Sequence, residues 1–254
     1  MTRTVEGAAM MLTAMATGEG ATDYVSALSD TSLEGVRIGV LRYSVSDQPG
    51  MADTFNAALE VLEAQGAELV EIEAFESQIE NFGQKAFTVL IHEFKTTINE
   101  YLEGTPEAVE SRTLTDLIAF NEANAETELS IFGQDLFTIA DATNGIEDEA
   151  YVTASADVLR GTRELGIDLL MSDYGVDVLV SPSGPIMPVA IPTEPDVWPS
   201  WSGAGGLAAV AGYPHLTVPM GTIGDVPVGI SFMGTAGQDA QILSFGYDYE
   251  QASM

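Results

Sequence analysis

The 254-residue sequence contains no cysteine, and it has only two histidines, His92 and His215. The absence of cysteine excludes disulfides, thiol nucleophiles and thiolate metal ligands together. The two histidines are far apart along the chain and share none of the short spacings that are typical of zinc ligands. The sequence therefore predicts no metal site.

Positive charge is also scarce. Eight Lys and Arg residues stand against 39 Asp and Glu residues, which gives a formal net charge of −31. The sequence therefore predicts neither nucleic acids nor anionic membranes as partners, because binding to phosphates needs clustered cations. The acidic residues are scattered along the chain, which favours a solvated acidic surface that is suited to high ionic strength. We expect a salt-adapted source, the alternative being an ordinary acidic protein.

Long apolar runs are missing as well. No run reaches the roughly 18 residues that a membrane-spanning helix needs. The N-terminal stretch carries Glu6 inside its apolar part and lacks the basic region that is typical of a signal peptide. These absences predict a cytoplasmic protein that has no membrane partner.

Hydrophobic periodicity predicts an α/β fold. Segments 36–41 and 67–74 are predicted as strands, and the segment between them, 51–66, is predicted as a helix that ends at Gly66. A strand–helix–strand unit of this length normally makes a parallel pair.

The rest of the chain is predicted as one domain without repeats. Thr4 is a candidate N-cap for a first helix, and the stretch from Ser77 to Met171 is mostly helical. A strand at 176–185 leads into a proline-rich loop. The stretch "AAVAGYPHLTVPMGTIGDVPVGISFMG" (208–234) predicts a small-residue helix followed by two strands, and a helix at 238–251 comes last.

Two serine-containing segments are candidate chemical sites. No G-x-S-x-G motif is present, and the cluster "PSWSGAGG" has no base nearby in sequence. We interpret Ser202 as the N-cap of the following helix and His215 as a structural residue; a hydrolase that pairs Ser202 with His215 is the weaker alternative. The other segment, "SPSGPIMP", follows the carboxyl end of a strand, where α/β proteins bind ligands. Ser183 and Gly184 are therefore candidate pocket residues, and a purely structural proline turn is equally consistent with the pattern.

Several segments in their order along the chain resemble one enzyme family. "TRTVEGAAMML", "LEGVRIGVLR", "FKTTINEYL", "DVLVSPSGP", "GLAAVAGYPHLTVPMG", "VPVGISFMG" and "DAQILSFGYDYEQAS" are similar to the C-terminal portion of the amidase signature family. The resemblance extends from Thr2 to about Ser253. It implies a mixed β-sheet covered by helices, with residues 1–254 forming the C-terminal portion of a single, incomplete amidase-like domain.

The resemblance also implies a reaction. The family hydrolyses carboxamides with a Ser–cis-Ser–Lys triad and without a metal or cofactor, and that triad lies upstream of the "RTV" helix. No residue of this chain matches the triad, so no catalytic residue is assigned and we expect the chain alone to be inactive. Met1 resembles an internal methionine of the family, so we expect the complete protein to contain a preceding segment.

We expect this chain to contribute to the substrate pocket of such an amidase. The pocket candidates are Ser183, Gly184, Pro185 with the loop that continues to Pro188, and Trp201; Trp201 and Trp198 are expected to add apolar walls. The implied partners are a small-molecule amide substrate and either a second copy of the chain or a missing N-terminal half. The alternative is a non-catalytic truncated paralogue that binds a small ligand or a partner chain.

Overall fold

The structure is a computed structural model that describes residues 1–17, 22–29, 32–189, 191, 194–195 and 197–253. The strands are β1 (Arg37–Leu41), β2 (Glu68–Ile72), β3 (Val178–Pro182), β4 (His215–Ile223) and β5 (Val226–Met233). The helices are α1 (Val5–Met15), α2 (Met51–Ala64), α3 (Phe82–Glu103), α4 (Leu114–Ala123), α5 (Ala125–Glu128), α6 (Asp135–Asp141), α7 (Glu149–Thr162), α8 (Asp168–Tyr174), α9 (Gly205–Ala211) and α10 (Asp239–Ser253).

The chain divides into two compact units. The sheet unit consists of residues 1–77, 162–189 and 197–254, and the helical unit consists of residues 78–161 and 190–196. Within the described residues, no helix is both long enough and apolar enough to span a membrane.

The sheet unit is built on one mixed sheet with the strand order β2-β1-β3-β5-β4. β1 pairs in parallel with both β2 and β3, whereas β5 is antiparallel to β3 and β4. The parallel β1–β2 pair with α2 between the two strands confirms the strand–helix–strand prediction. The mixed sheet with its helices confirms the predicted α/β class.

Helices cover both faces of this sheet because the central strands are apolar on both sides. Ile38 and Val180 belong to a core cluster on one face together with Phe55 of α2 and Tyr249 of α10. The opposite face is filled from α8, α9 and the π-helical turn Arg163–Ile167 that precedes α8. α1 joins the first cluster and begins at its predicted N-cap, Thr4, whose side chain accepts a hydrogen bond from the backbone N–H of Gly7.

Two strands end earlier along the chain than predicted. The strand predicted at 176–185 ends at Pro182, because the peptide N–H of Ser183 makes the last bond, to the carbonyl oxygen of Gly229, and the chain then leaves the sheet. The strand predicted at 67–74 similarly ends at Ile72. Because β3 ends early, the proline-rich loop starts at Ser183, at the carboxyl end of this central strand.

The helical unit has a small core of its own. Ile91 of α3 packs with Leu114 of α4 and Ala140 of α6, and a tilted ring pair of Phe94 and Phe137 lies beside them, with centroids 5.3 Å apart. α4 begins with a complete capping box in which Thr113 and Asp116 bond each other's backbone N–H groups.

Candidate functional site

The segments that follow β1 and β3 meet at one edge of the sheet because the two strands are parallel. The side-chain amide of Gln48 joins them. Its Nε2 donates to the carbonyl oxygen of Ile186 at 2.8 Å, and its Oε1 accepts from the Ile186 N–H at 2.9 Å. This pair of bonds anchors the proline-rich loop directly beyond Ser183.

Ser202 is fully buried and bonds to the segment after β1. Its hydroxyl accepts from the peptide N–H of Ser46 at 2.9 Å and donates to the Ser46 hydroxyl at 2.8 Å. The N-cap predicted for Ser202 is therefore wrong, since α9 begins at Gly205 and has no side-chain cap. The structure also pairs His215 with Ser231 rather than with Ser202, which removes the geometric basis of the Ser202–His215 alternative.

Gly203 brings the segment around Trp201 against the end of β3. Its N–H donates to the carbonyl oxygen of Ser44 at 2.7 Å. A Cβ at this position would lie 2.6 Å from the carbonyl oxygen of Pro182, and the φ of +101° is one that side chains disfavour. Only glycine allows this close approach of two backbone segments.

The predicted pocket residues therefore share one region of the sheet unit. Ser183, Gly184 and Pro185 are all half-buried. No heavy atom lies within 4 Å of the position that a Cβ would take on Gly184, so this backbone faces open space. Trp201, two residues before Gly203, is 64% exposed and makes no apolar wall in this chain by itself.

A chain of side-chain hydrogen bonds, which we call the His215 relay, joins β4 and β5 to Ser183, the residue that follows β3. His215 Nε2 lies 2.7 Å from Ser231 Oγ, Ser231 Oγ lies 2.9 Å from Ser183 Oγ, and Ser183 Oγ lies 3.3 Å from Thr217 Oγ1. Ser231 is fully buried. The relay connects a predicted pocket residue, Ser183, to the histidine that starts β4.

The His215 ring keeps an exposed edge but packs against Gly205. A Cβ on Gly205 would lie 2.7 Å from the ring atom Cε1. The partial loss of water around the imidazole lowers the pKa of His215. The neutral form of the ring is therefore favoured at neutral pH.

A cavity of about 310 Å³ lies between β4, α10 and the start of α1. Thr217, Leu216 and Pro219 line it from the strand, and Glu250 lines it from α10. Both carboxylate oxygens of Glu250 accept the peptide N–H of Val5, at 3.0 and 3.2 Å, so that this buried carboxylate is held at the N-terminus of α1.

The two lysines have structural partners. Lys85 Nζ donates to Asp157 at 2.5 Å, and Lys95 Nζ donates to the carbonyl oxygens of Asp141 and Thr143. In the part of the chain that the structure describes, no group of three or more His, Asp or Glu side chains could hold a metal ion.

Sequence reasoning missed Ser231, Thr217 and Gln48. Ser231 lies on the same face of β5 as Gly229 and Met233. A small polar residue in such a buried strand is a usable signal for a polar site. Its partner could not be named without the register of the hairpin.

A mixed sheet covered by helices, with polar residues gathered where the strands end, defines an α/β protein whose ligand site is expected at that edge. The chain belongs to the amidase family, whose model, described as "Amidase", matches residues 1–243. The resemblance to amidase signature enzymes is thereby confirmed.

Solved structures and curated proteins agree with this assignment. The native peptide amidase of Stenotrophomonas maltophilia superposes with a TM-score of 0.85 and 36% identity, covering 99% of this chain and 52% of that chain. An amidase family protein of Bacillus anthracis superposes with a TM-score of 0.78 and 26% identity, covering 99% of this chain and 47% of that chain. A glutamyl-tRNA(Gln) amidotransferase subunit of Rhodococcus erythropolis is 27% identical over 241 residues, or 87% of this chain and 45% of the relative. The chain thus spans about half the length of the proteins that it matches.

Proposed function

We propose that this chain is the C-terminal portion of an amide hydrolase that converts a carboxamide and water to a carboxylate and ammonia or an amine. In this proposal it supplies the mixed sheet and one side of the substrate pocket. The lysine and the two serines of the family's triad come from sequence outside these 254 residues, and the chain alone does not turn over amides.

The observation that carries the proposal is the family match over residues 1–243, together with the superposition on the peptide amidase. The relatives' names connect them to amide chemistry, as amidases or as part of an amidotransferase. The amide class of substrate is therefore proposed for this chain too. The identity of the amide depends on loops that contact the substrate, some of which belong to this chain and some to the rest of such an enzyme.

Within the chain, we place the pocket contribution at Ser183, Gly184 and Pro185. Ser183 presents a half-buried hydroxyl, and the Gly184 backbone faces open space. Trp201 is proposed to become an apolar wall only when a second segment covers it, since an exposed aromatic ring next to a polar pocket is typical of a surface that is buried on assembly.

The partner in this proposal is an N-terminal segment that carries the triad, and a homodimer remains a second proposed assembly. Both lysines of the chain already hold the helical unit together, Lys85 through Asp157 and Lys95 through backbone carbonyl oxygens. Neither lysine is proposed as the catalytic one.

Two measurements test the proposal. The genomic DNA upstream of Met1 should encode, in frame, a lysine followed by a Gly/Ser-rich stretch; a promoter and ribosome-binding site directly before Met1 would contradict this.

The purified chain should release no ammonia from acetamide, benzamide or an aminoacyl amide. Robust turnover that Ser183→Ala or Ser202→Ala abolishes would show that the chain holds its own nucleophile.

A further inference from the structure

Counting protons limits the His215 relay to one of two directions. Each serine hydroxyl carries one proton and can donate only one hydrogen bond. In one of them, Ser231 donates to Ser183 and Ser183 donates to Thr217. In that direction Ser231 can only accept at its other contact, and the proton between His215 and Ser231 then lies on Nε2 of the imidazole; this direction is part of the inference and is tested below.

The two ends of the relay differ in strength. The His215–Ser231 and Ser231–Ser183 contacts, at 2.7 and 2.9 Å, are of ordinary length for their kind. The Ser183–Thr217 contact at 3.3 Å lies beyond the usual range for two hydroxyls. The Ser183 hydroxyl thus makes only a weak hydrogen bond to Thr217, whereas its oxygen is held in place by Ser231.

Packing holds the relay in this arrangement. Gly205 leaves just enough room for the His215 ring, and Gly229 does the same for the far end. A Cβ on Gly229 would lie 2.7 Å from Thr217 Cγ2 and 3.0 Å from Ser183 Oγ. Ser231 in the middle is fully buried, so water does not compete for its hydroxyl.

We propose that His215 is a positioning residue: through Ser231 it orients the Ser183 hydroxyl as a hydrogen-bond donor for the carbonyl oxygen of an amide ligand. The inference rests on the proposed function, because it assumes that an amide binds at Ser183. In this arrangement a ligand carbonyl replaces Thr217 as the acceptor of the Ser183 proton. The Thr217 hydroxyl is then free to bond another polar atom of the ligand.

The direction of the relay is testable by ¹⁵N NMR of histidine-labelled protein. The chain has only two histidines, so His92→Gln assigns both sets of signals. We expect His215 at pH 7.5 as the neutral tautomer with the proton on Nε2. Ser231→Ala should mix the tautomers, and Ser183→Ala should shift the His215 signals from two hydrogen bonds away. A His215 tautomer protonated on Nδ1, or His215 signals unchanged by Ser183→Ala, would overturn the relay.

Positioning is tested by ligand binding to the whole chain. N-acetylphenylalanine amide is the probe, and the backbone amide signals of residues 183–186 report its dissociation constant. Loss of one neutral hydrogen bond weakens binding by about fivefold. We expect that loss in Ser183→Ala and in His215→Leu. His215→Gln, which restores a donor near the Nε2 position, should bind within about twofold of the unsubstituted chain, as should the control His92→Gln.

The outcomes separate this inference from the proposed function. Weaker binding in Ser183→Ala with unchanged binding in His215→Leu would make His215 a merely structural residue. Amide binding with a relay of the opposite direction would likewise overturn the inference and leave the proposed function standing. No binding of the probe by the unsubstituted chain would contradict the amide pocket at Ser183, and with it the ligand role of the relay, even if the tautomer is the one expected.

Discussion

Gly205 and Gly206 open the same short helix, yet a methyl group would have opposite effects at the two positions. A Cβ on Gly205 would meet the His215 ring at 2.7 Å, whereas nothing lies within 4 Å of a Cβ on Gly206. We expect Gly205→Ala to destabilise the protein by about 1–3 kcal/mol because the ring must move.

Gly206→Ala is the matched control. It should stabilise the protein by about 0.5–1 kcal/mol, because alanine loses less backbone entropy than glycine in a helix. Urea unfolding of both variants measures the difference. Equal stabilities would mean that the His215 ring is not held against Gly205.

His215 also predicts a pH dependence of stability. Its pKa is lowered in the folded state, so between its folded pKa and the ordinary value near 6.5 the unfolded chain binds more protons. Stability should therefore rise with pH up to about 6.5 and then level off. His215→Gln should flatten the part of the rise between pH 5 and 7 in urea unfolding curves. A rise of the same slope in this variant would show that other groups cause it.

At the scale of elements, four of the eight basic residues lie at helix C-termini. Each of four basic side chains donates to carbonyl oxygens at the C-terminal end of a helix or just beyond it, where the helix dipole favours positive charge. These pairs are Arg37 with α8, Lys95 with α6, Arg112 with α3 and Arg163 with α9. Half of the chain's positive charge thus lies where it stabilises the ends of helices.

Arg112 is the clearest of these. Its guanidinium donates to the carbonyl oxygens of Leu102, Thr105 and Pro106, at 2.9 to 3.2 Å. We expect Arg112→Met to lower the free energy of unfolding by about 1–2 kcal/mol. Amide hydrogen exchange in the last turn of α3 should become faster.

Arg3→Met provides the charge control for Arg112→Met. It removes one positive charge at an exposed position, so it changes the net charge equally without uncapping a helix. We expect its free energy of unfolding to stay within about 0.5 kcal/mol of the unsubstituted chain. Equal losses in the two variants would attribute the effect to net charge rather than to capping.

The elements were predictable from sequence, but the register of the hairpin was not. Ile223 pairs with Val226 across a two-residue turn, a register that would extend to place Val218 opposite Ser231. A β-bulge between Pro219 and Gly221 shifts the pairing by one, so that Thr217 lies opposite Ser231 instead. Gly221, with a φ of +140°, permits the bulge. The extra residue in the bulge therefore places the Thr217 hydroxyl, rather than the Val218 side chain, on the face that carries Ser231.

The candidate site was predictable only in part for the same reason. Ser183 and Gly184 could be proposed because they follow a strand at its carboxyl end. Ser46 and Gln48, which hold the opposing segments in place, are polar residues in a turn, and no local pattern distinguishes them from ordinary turn residues. Their partners lie 138 or more positions away along the chain.

At the scale of the whole molecule, charge repulsion predicts a strong response to salt. At a net charge of −31 with eight cations, most carboxylates have no cationic partner available. The screening length falls from about 10 Å at 0.1 M salt to about 3 Å at 1 M. We expect the melting temperature to rise by several degrees between low salt and 1 M NaCl. A flat or falling melting temperature would show that repulsion does not limit stability.

The central proposal is that this chain is one part of an amide hydrolase whose triad lies outside these 254 residues. Its most direct test is ammonia release from N-acetylphenylalanine amide. The assay compares the chain alone with the chain mixed with the part of the S. maltophilia peptide amidase that it does not cover. We predict no release by the chain alone, release by the purified mixture, and less release when the chain carries Ser183→Ala. Serine-dependent turnover by the chain alone, or a stable complex of the two parts that releases no ammonia, would contradict the account.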